Sequence, residues 1–257
     1  MSDLYLTFDE HRHTYTVDGQ PQPSVTEVMK VEAAPALEQW KINQVAQYAV
    51  EHQAAWTLLP RDDAYRLLQS SVYWQSRRAA DKGTEAHQEV FAEDPDSPYA
   101  SAAVQFITDI GLTVTTNDRE VQIWDESGYA GTADVLTQTT VIDWKRKPTR
   151  DKILYPNQGV QIVAYGNAGH RAAKTGELLT YSPEKGIVAD NHPAPEGLLY
   201  PKPQQVHGWM VALYPDATYR AWHVDLLDPA WTLRWESLWG LYQSLNPTKT
   251  AWKEYTP

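Results

Sequence analysis

The chain contains no cysteine, and no apolar run in it approaches the length of a membrane-spanning segment. Without cysteine there can be no disulfide bond and no iron–sulfur cluster held by thiolates. A spanning helix needs roughly 20 apolar residues, and the N-terminus lacks the basic-then-apolar pattern of a signal peptide. We therefore expect a cytoplasmic protein with no membrane partner.

Basic residues are also scarce. The 257 residues include 22 lysines and arginines against 33 aspartates and glutamates, which gives a net charge of −11. A protein that holds nucleic acid through its overall electric field is expected to be basic. Any contact with nucleic acid phosphates must therefore depend on local groups of basic side chains.

Strand and helix patterns predict an α/β fold in which a central mixed β-sheet is flanked by helices. No linker, repeat or long charge block divides the chain, so we expect one domain over residues 1–257. Its core should lie at about 60–225, with an N-terminal elaboration at 1–59 and a C-terminal helix at 229–245.

The predicted elements follow from alternation, caps and helical spacing. Strands are predicted at 4–8, 14–17, 121–124, 129–136, from 141, at 209–214 and at 219–224. Helices are predicted from the capping box Ser24-Val-Thr-Glu27, at 35–52, from 62 or 63 to 82 with Gly83 as a break or kink, at 99–110, from 156 and from 229. The proline-rich segment 191–203 is expected to be an irregular surface loop.

The most informative stretch is Gly131-Thr-Ala-Asp134, followed nine residues later by Asp143-Trp-Lys145. Apolar and β-favouring residues flank a polar tetrad at 137–140, which predicts a hairpin. If Leu136 and Val141 close the turn, Asp134 faces Asp143 with Cβ atoms roughly 5 Å apart. Lys145 then points from the same face as Asp143, because side chains alternate along a strand.

Two carboxylates that face each other in a sheet repel, so a bound cation would remove the conflict. Oxygen ligands favour a hard ion such as Mg²⁺ or Mn²⁺, which recruits phosphate oxygens. The metal and a nearby lysine together suit phosphodiester hydrolysis. From these residues alone, a surface hairpin in which Lys145 merely pairs with the two aspartates is an equally good interpretation.

Flanking motifs in a fixed order make the chain resemble the PD-(D/E)XK nucleases, in the RecB-like branch of phage-type exonucleases. It is similar there to the mitochondrial genome maintenance exonuclease. The resemblance spans about residues 10–170, roughly 60 % of the chain. The matching pieces are His13-Thr-Tyr15, Pro23-Ser-Val-Thr26, Gly83-Thr-Glu-Ala-His87, Glu120, Gly131-Thr-Ala-Asp134, Asp143-Trp-Lys145 and Gln161-Ile-Val-Ala-Tyr165.

This resemblance implies a restriction-endonuclease-like core and a set of roles. It implies that His87, Asp134 and Asp143 ligate the metal with the backbone carbonyl of Trp144. Lys145 would be the catalytic lysine, and Gln161 and Tyr165 would position that lysine or the DNA phosphate.

Several features depart from the family pattern or stay open. The second acid is Asp143 where many relatives have glutamate, and the four cysteines that some relatives use for an iron–sulfur cluster are missing. Glu120 is either a further metal ligand or an ordinary acid at a strand end. A lone helical histidine such as His87 is more often structural than a ligand, so its role rests on the family order.

Two basic groups flank these motifs and are candidates for phosphate contacts, although either could be an ordinary solvated surface. Gln158 shares a helix face with Gln161 and Tyr165, and this face either overlooks the metal site or faces solvent. The candidate DNA contacts are Arg77, Arg78, Lys82, Arg146, Lys147, Arg150, Lys152 and Gln158.

The C-terminal helix carries a stripe of large apolar side chains. A stripe at this spacing favours core packing over base stacking, despite the eleven tryptophans of the chain. Its members are Trp231, Trp235, Leu238, Tyr242 and Leu245.

From the resemblance we expect a metal-dependent deoxyribonuclease, specifically an exonuclease acting on single- or double-stranded DNA ends. Its setting would be recombination, repair or phage DNA processing in a bacterial or phage-infected cell, where a single-strand annealing protein is a candidate partner. The alternatives are an endonuclease, or a DNA-binding or scaffolding module without catalysis.

Overall fold

A computed structural model describes residues 3–10, 12–32, 35–150, 156–182 and 186–246. The chain divides into two compact units. The sheet unit comprises Met1–Val31 and Val90–Pro257, and the helical unit comprises Glu32–Glu89. The organisation as one domain over 1–257 stays a prediction. Within the described ranges, no helix is long and apolar enough to cross a membrane.

The helical unit contains α2 (Pro35–Glu51), α3 (Gln53–Trp56) and most of α4 (Arg61–Phe91). The predicted helix at 35–52 is confirmed. Gly83 was predicted to be a break or a kink, and a break is wrong because α4 continues through it for 31 residues in all; a kink stays a prediction. A helical glycine costs only about 1 kcal/mol, which the hydrogen bonds of the flanking turns offset.

The N-terminal segment of the sheet unit forms a small antiparallel sheet of β1 (Leu6–Asp9), β2 (Thr14–Val17) and β3 (Gln20–Gln22). The first two strands form the predicted hairpin, and β3 was not predicted. The helix start at Ser24 was predicted correctly: α1 (Val25–Val28) begins after Ser24, whose side chain accepts a hydrogen bond from the Glu27 backbone N–H at 3.1 Å. The Glu27 side chain instead accepts from the Tyr242 hydroxyl at 2.8 Å.

The main sheet has seven strands in the order β10-β7-β4-β5-β6-β11-β12. Only β6 and β11 pair in parallel, so the sheet is mixed and the predicted α/β class is confirmed. Two further strands, β8 (Leu178–Ser182) and β9 (Gly186–Pro193), pair separately. The strands of the main sheet are β4 (Arg119–Asp125), β5 (Tyr129–Leu136), β6 (Thr140–Arg146), β7 (His170–Ala172), β10 (Leu199–Pro201), β11 (His207–Leu213) and β12 (Tyr219–Asp225).

The segment 191–203 is not wholly an irregular loop, which corrects the prediction. Residues 191–193 end β9, and β10 pairs with β7 at the sheet edge. Leu199 is buried beside Leu6 and Ala172, and this burial favours an extended edge strand despite the neighbouring prolines.

Helices cover both faces of the main sheet. On one face, Trp144 of β6 packs edge-to-face on Phe106 of α5 (Pro98–Asp109), with ring centroids 5.9 Å apart. On the other face lie α6 (Pro156–Asn167) and α7 (Pro229–Leu245). This second face holds the main core, and it is the face from which Lys145 projects.

The stripe on α7 packs against that core, as predicted. Trp235 is buried, and Trp231, Leu238 and Tyr242 are partly buried against the same cluster. Leu245, at the end of the helix, is 61 % exposed.

Candidate active site

The central hairpin has the predicted register at its turn, where Leu136 pairs with Val141 and Val135 with Ile142, while the pairing of Asp134 with Asp143 stays a prediction. The backbone N–H of Thr137 donates to the carbonyl of Thr140 at 2.9 Å. Beyond the pair Val135–Ile142, a side chain takes the place of the backbone hydrogen bonds between the two strands. Asp134 Oδ2 accepts a hydrogen bond from the backbone N–H of Trp144 at 2.6 Å. This bond ties the Asp134 carboxylate to β6.

Lys145 and Asp143 form an ion pair on the same face of β6. Lys145 Nζ lies 2.6 Å from Asp143 Oδ2, where the Asp143 side chain is 2 % exposed and that of Lys145 is 23 % exposed. Burial lowers the pKa of Lys145, but Asp143 and then Asp134 raise it by more, so the net pKa lies above its usual value. The lysine is therefore charged at neutral pH.

The predicted face of α6 meets this ion pair. Lys145 Nζ donates to Gln161 Oε1 at 3.3 Å, and Gln161 Nε2 donates to Tyr165 Oη at 2.8 Å. Both α6 side chains are buried, so this part of the stripe does not face solvent. Burial, followed by the charge of Asp143, raises the pKa of Tyr165 well above its usual value, which keeps its hydroxyl protonated.

Two glycines allow α6 to lie this close to the sheet. A Cβ on Gly131 would come within 2.7 Å of Tyr165 Cε1, and one on Gly208 would come within 2.3 Å of Ile162 Cγ2. The glycine of the Gly131-Thr-Ala-Asp134 motif is therefore needed for the position of Tyr165.

Glu120 joins the aspartates from the neighbouring strand β4. It lies between the pairs Arg119–Val135 and Val121–Ala133, and so is opposite Asp134. A carboxylate oxygen of Glu120 lies within 4.8 Å of one of Asp134. Its backbone φ is +45°, a left-handed conformation that is unusual for a residue other than glycine.

Tyr15 is a neighbour of the site that sequence reasoning did not assign. Its hydroxyl lies 2.8 Å from Thr132 Oγ1, on the strand that carries Asp134. Burial raises its pKa to about 12, although the Thr132 hydrogen bond opposes that shift. The motif His13-Thr-Tyr15 was the only sequence signal for this contact.

The sequence matches no protein-family model and no curated protein. The chemistry of the site must therefore be judged from its own geometry.

A cavity of about 660 Å³ lies beside Glu120, and its polar lining includes Gln122, Lys174 and Glu196. Phe8 and Thr7 of β1 form another part of its wall. Burial, and then the charge of Arg171, lower the pKa of Lys174. The Lys174 ammonium donates to the backbone carbonyls of Thr116 and Arg119, so it is already engaged within the wall of the cavity.

The donor set fits a hard divalent cation. Glu120 and Asp134 offer carboxylate oxygens within 4.8 Å of each other from β4 and β5, and Asp143 on the adjacent strand β6 is paired with Lys145. The surplus negative charge and the carboxylate oxygens suit Mg²⁺ or Mn²⁺ better than a soft transition metal.

The basic residues after Lys145 are not all directed to the site. Arg146 lies over the ring of Tyr99 on α5, with the guanidinium carbon 5.0 Å from the ring centroid, so it is on the opposite face from Lys145. Arg150 is exposed and pairs with Asp216 at 3.2 Å. The Lys147 backbone N–H donates to the Leu213 carbonyl, and Lys152 lies outside the described residues.

The remaining predicted residues lie on helices. His87 lies on α4 in the helical unit, and exposed Arg77, Arg78 and Lys82 lie on the same helix. Gln158 is half-buried on α6, one turn before Gln161. Metal ligation by His87 and by the Trp144 carbonyl stays a prediction, as do the DNA contacts.

Proposed function

We propose that this protein is a Mg²⁺- or Mn²⁺-dependent deoxyribonuclease that hydrolyses phosphodiester bonds at DNA ends. One observation carries the proposal: a largely buried lysine lies 2.6 Å from Asp143 and donates to Gln161. A second aspartate, Asp134, is hydrogen-bonded to the same strand. A structural ion pair needs one acid, whereas the charges of two aspartates, Asp143 and Asp134, act on this lysine.

The residues of the chain have separable roles. Asp134, Asp143 and Glu120 would hold the cation, which when bound polarises a phosphoryl oxygen and lowers the pKa of a water molecule. Lys145 is held charged by the aspartates, so it would orient the attacking water and neutralise charge that develops on the phosphate. The hydrogen bond to Tyr165 fixes the side chain of Gln161. Gln161 would in turn keep the ammonium of Lys145 directed at the attacking water.

The choice of DNA as the substrate follows from the family resemblance. The cavity beside Glu120 adds a concave polar surface next to one of the proposed ligands. Action on ends, rather than on internal bonds, follows from the family resemblance alone. The same holds for a role in recombination, repair or phage DNA processing in the cytoplasm, and for an annealing protein as partner.

The test is degradation of end-labelled linear DNA, single- and double-stranded, with Mg²⁺, Mn²⁺ or EDTA. Wild type should release the label only with metal, while Lys145→Ala should lose about 100-fold or more in rate. Lys30→Ala, which removes an exposed lysine from the same unit, should keep full activity. Covalently closed circular DNA should stay intact, and cutting of circles would instead identify an endonuclease.

Removing the Lys145 side chain leaves the buried carboxylate of Asp143 without its ammonium partner, and an unpaired buried charge destabilises a protein. Gln161→Ala serves as a second variant, since it removes an acceptor of Lys145 and leaves the ion pair in place. We expect it to lower kcat more than it raises KM. Equal cleavage by wild type and a folded Lys145→Ala would refute the proposal, and DNA binding without cleavage by wild type would favour a scaffolding module.

A further inference from the structure

Two histidines lie side by side on the last two strands of the main sheet. His207 of β11 and His223 of β12 are both exposed, and Nδ1 of the first lies 3.2 Å from Nε2 of the second. The rings are 5.3 Å apart between centroids and tilted by 48°. Trp209 pairs with His223 in the strand register and packs on Phe106 of α5. The two histidines therefore lie on the face of the sheet that α5 covers.

This nitrogen–nitrogen distance matches a shared metal ion. Two imidazole nitrogens bound to Zn²⁺ at 2.0–2.1 Å with a tetrahedral angle lie roughly 3.3 Å apart. We propose that His207 and His223 form a second metal site, separate from the carboxylate centre, that chelates a borderline transition metal ion such as Zn²⁺ or Ni²⁺. The water-exposed side of the pair leaves room for the other coordination positions.

The surroundings hold the two rings in place. Trp209 lies opposite His223 in the strand pairing, and its ring is 4.7 Å from the imidazole. This contact limits the rotation of His223 and lowers the entropy lost when a metal binds.

A nearby acid favours a cation at this point. Asp225 pairs with His207 across the two strands, so its side chain projects from the same face as both imidazoles. Its Oδ1 accepts a hydrogen bond from the Leu227 backbone N–H at 2.9 Å, which fixes the direction of the carboxylate. Asp225 therefore adds a negative charge on the same face of the sheet, two residues along β12 from His223.

Ligand chemistry separates the two sites. Imidazole suits Zn²⁺, Ni²⁺ and Cu²⁺, whereas oxygen-only sites suit Mg²⁺ and Mn²⁺. The histidine site does not depend on nuclease activity, since none of its residues belongs to the carboxylate centre. It can therefore be tested whether or not the protein cleaves DNA.

The experiment is titration of the full chain with ZnCl₂ by isothermal calorimetry, in an Asp134→Asn/Asp143→Asn background that disables the carboxylate centre. We expect one Zn²⁺ to bind through the histidines. His207→Gln and His223→Gln should each weaken binding by at least the roughly 10- to 100-fold that loss of an outer-shell partner costs a metal site. MgCl₂ should give no binding at these residues.

Three controls make the outcome decisive. His52→Gln removes an exposed histidine from the helical unit and should leave Zn²⁺ affinity unchanged. Asp225→Asn should weaken binding less than either histidine substitution. In the otherwise wild-type chain, His207→Gln/His223→Gln should lower the Zn²⁺ stoichiometry by one equivalent. Unchanged Zn²⁺ affinity and stoichiometry in that variant would overturn the proposal.

Discussion

The tightest packing constraint at the site is the approach of Tyr165 to Gly131, and adding one methyl group there should destabilise the protein. In Gly131→Ala the new Cβ would lie 2.7 Å from Tyr165 Cε1, about 0.7 Å short of the 3.4 Å at which ordinary contact begins. It would also lie 3.3 Å from Val25 Cγ2. The Tyr165 ring is only 3 % exposed, so it cannot turn outward to relieve the clash.

Two effects of opposite sign set the magnitude. Overpacking a core costs about 1–3 kcal/mol. Replacing glycine by alanine also restricts the unfolded chain, which stabilises by about 0.4–1 kcal/mol where the backbone allows it. We therefore expect Gly131→Ala to lower the free energy of unfolding by about 1–2 kcal/mol, measured by urea denaturation. The proposed nuclease activity should fall further, because displaced Tyr165 would no longer fix Gln161 and Lys145.

Gly240→Ala is the matched control. It makes the same chemical change in α7, where the new Cβ meets nothing within 4 Å, so it should stabilise by up to about 1 kcal/mol. In a Tyr165→Leu background, Gly131→Ala should cost less than it does alone, since the clashing ring is gone. The reasoning fails if Gly131→Ala is as stable as wild type, or if its cost is unchanged without the ring.

Two further predictions concern parts of the sheet unit away from the site. Burial lowers the pKa of Lys202 to about 8, and the charge of Asp125 opposes that shift. Below pH 8 the folded state therefore carries a buried ammonium, and above pH 8 the lysine releases its proton. The free energy of unfolding should therefore rise by about 2 kcal/mol between pH 8 and 9.5. Urea denaturation should show this rise in wild type and Lys30→Met, and a rise of equal size in Lys202→Met would contradict it. At the start of α7, the Asp228 side chain accepts a hydrogen bond from the Ala230 backbone N–H at 2.9 Å. Asp228→Ala should therefore lower the free energy of unfolding by about 1 kcal/mol, while Asp228→Asn should keep most of the cap. Equal melting temperatures for wild type and Asp228→Ala would rule this out.

Local signals explain which elements could be predicted. The hairpin that carries Asp134 and Asp143 depends on alternation and a four-residue turn, and both are visible within about twenty residues of sequence. The same holds for α7, whose N-cap Asp228 and following proline are adjacent in the chain. The break predicted at Gly83 was wrong because a glycine ends a helix only when its free-energy cost exceeds the stabilisation from the flanking helical turns.

Contacts between segments that are far apart in the sequence could not be predicted from local sequence patterns. Tyr15 and Thr132 are 117 residues apart, and no periodicity predicts that β2 would reach β5. Strand β10 was missed because its pairing with β7 and the burial of Leu199 are set by the N-terminal segment. The direction of Arg146 could have been predicted, since alternation from Lys145 turns it to the other face.

The backbone at Glu120 bears on why this site has its composition. A left-handed residue other than glycine costs of the order of 1–3 kcal/mol, and such strain persists only where the surroundings enforce it. Here the strained residue lies opposite Asp134 in a sheet that also holds Asp143, so strain and like-charge repulsion fall on the same few residues. Apolar side chains on these strands would give a more stable sheet. The proposed cation would offset the repulsion between these carboxylates, so the proposed metal site accounts for a composition that folding alone does not favour.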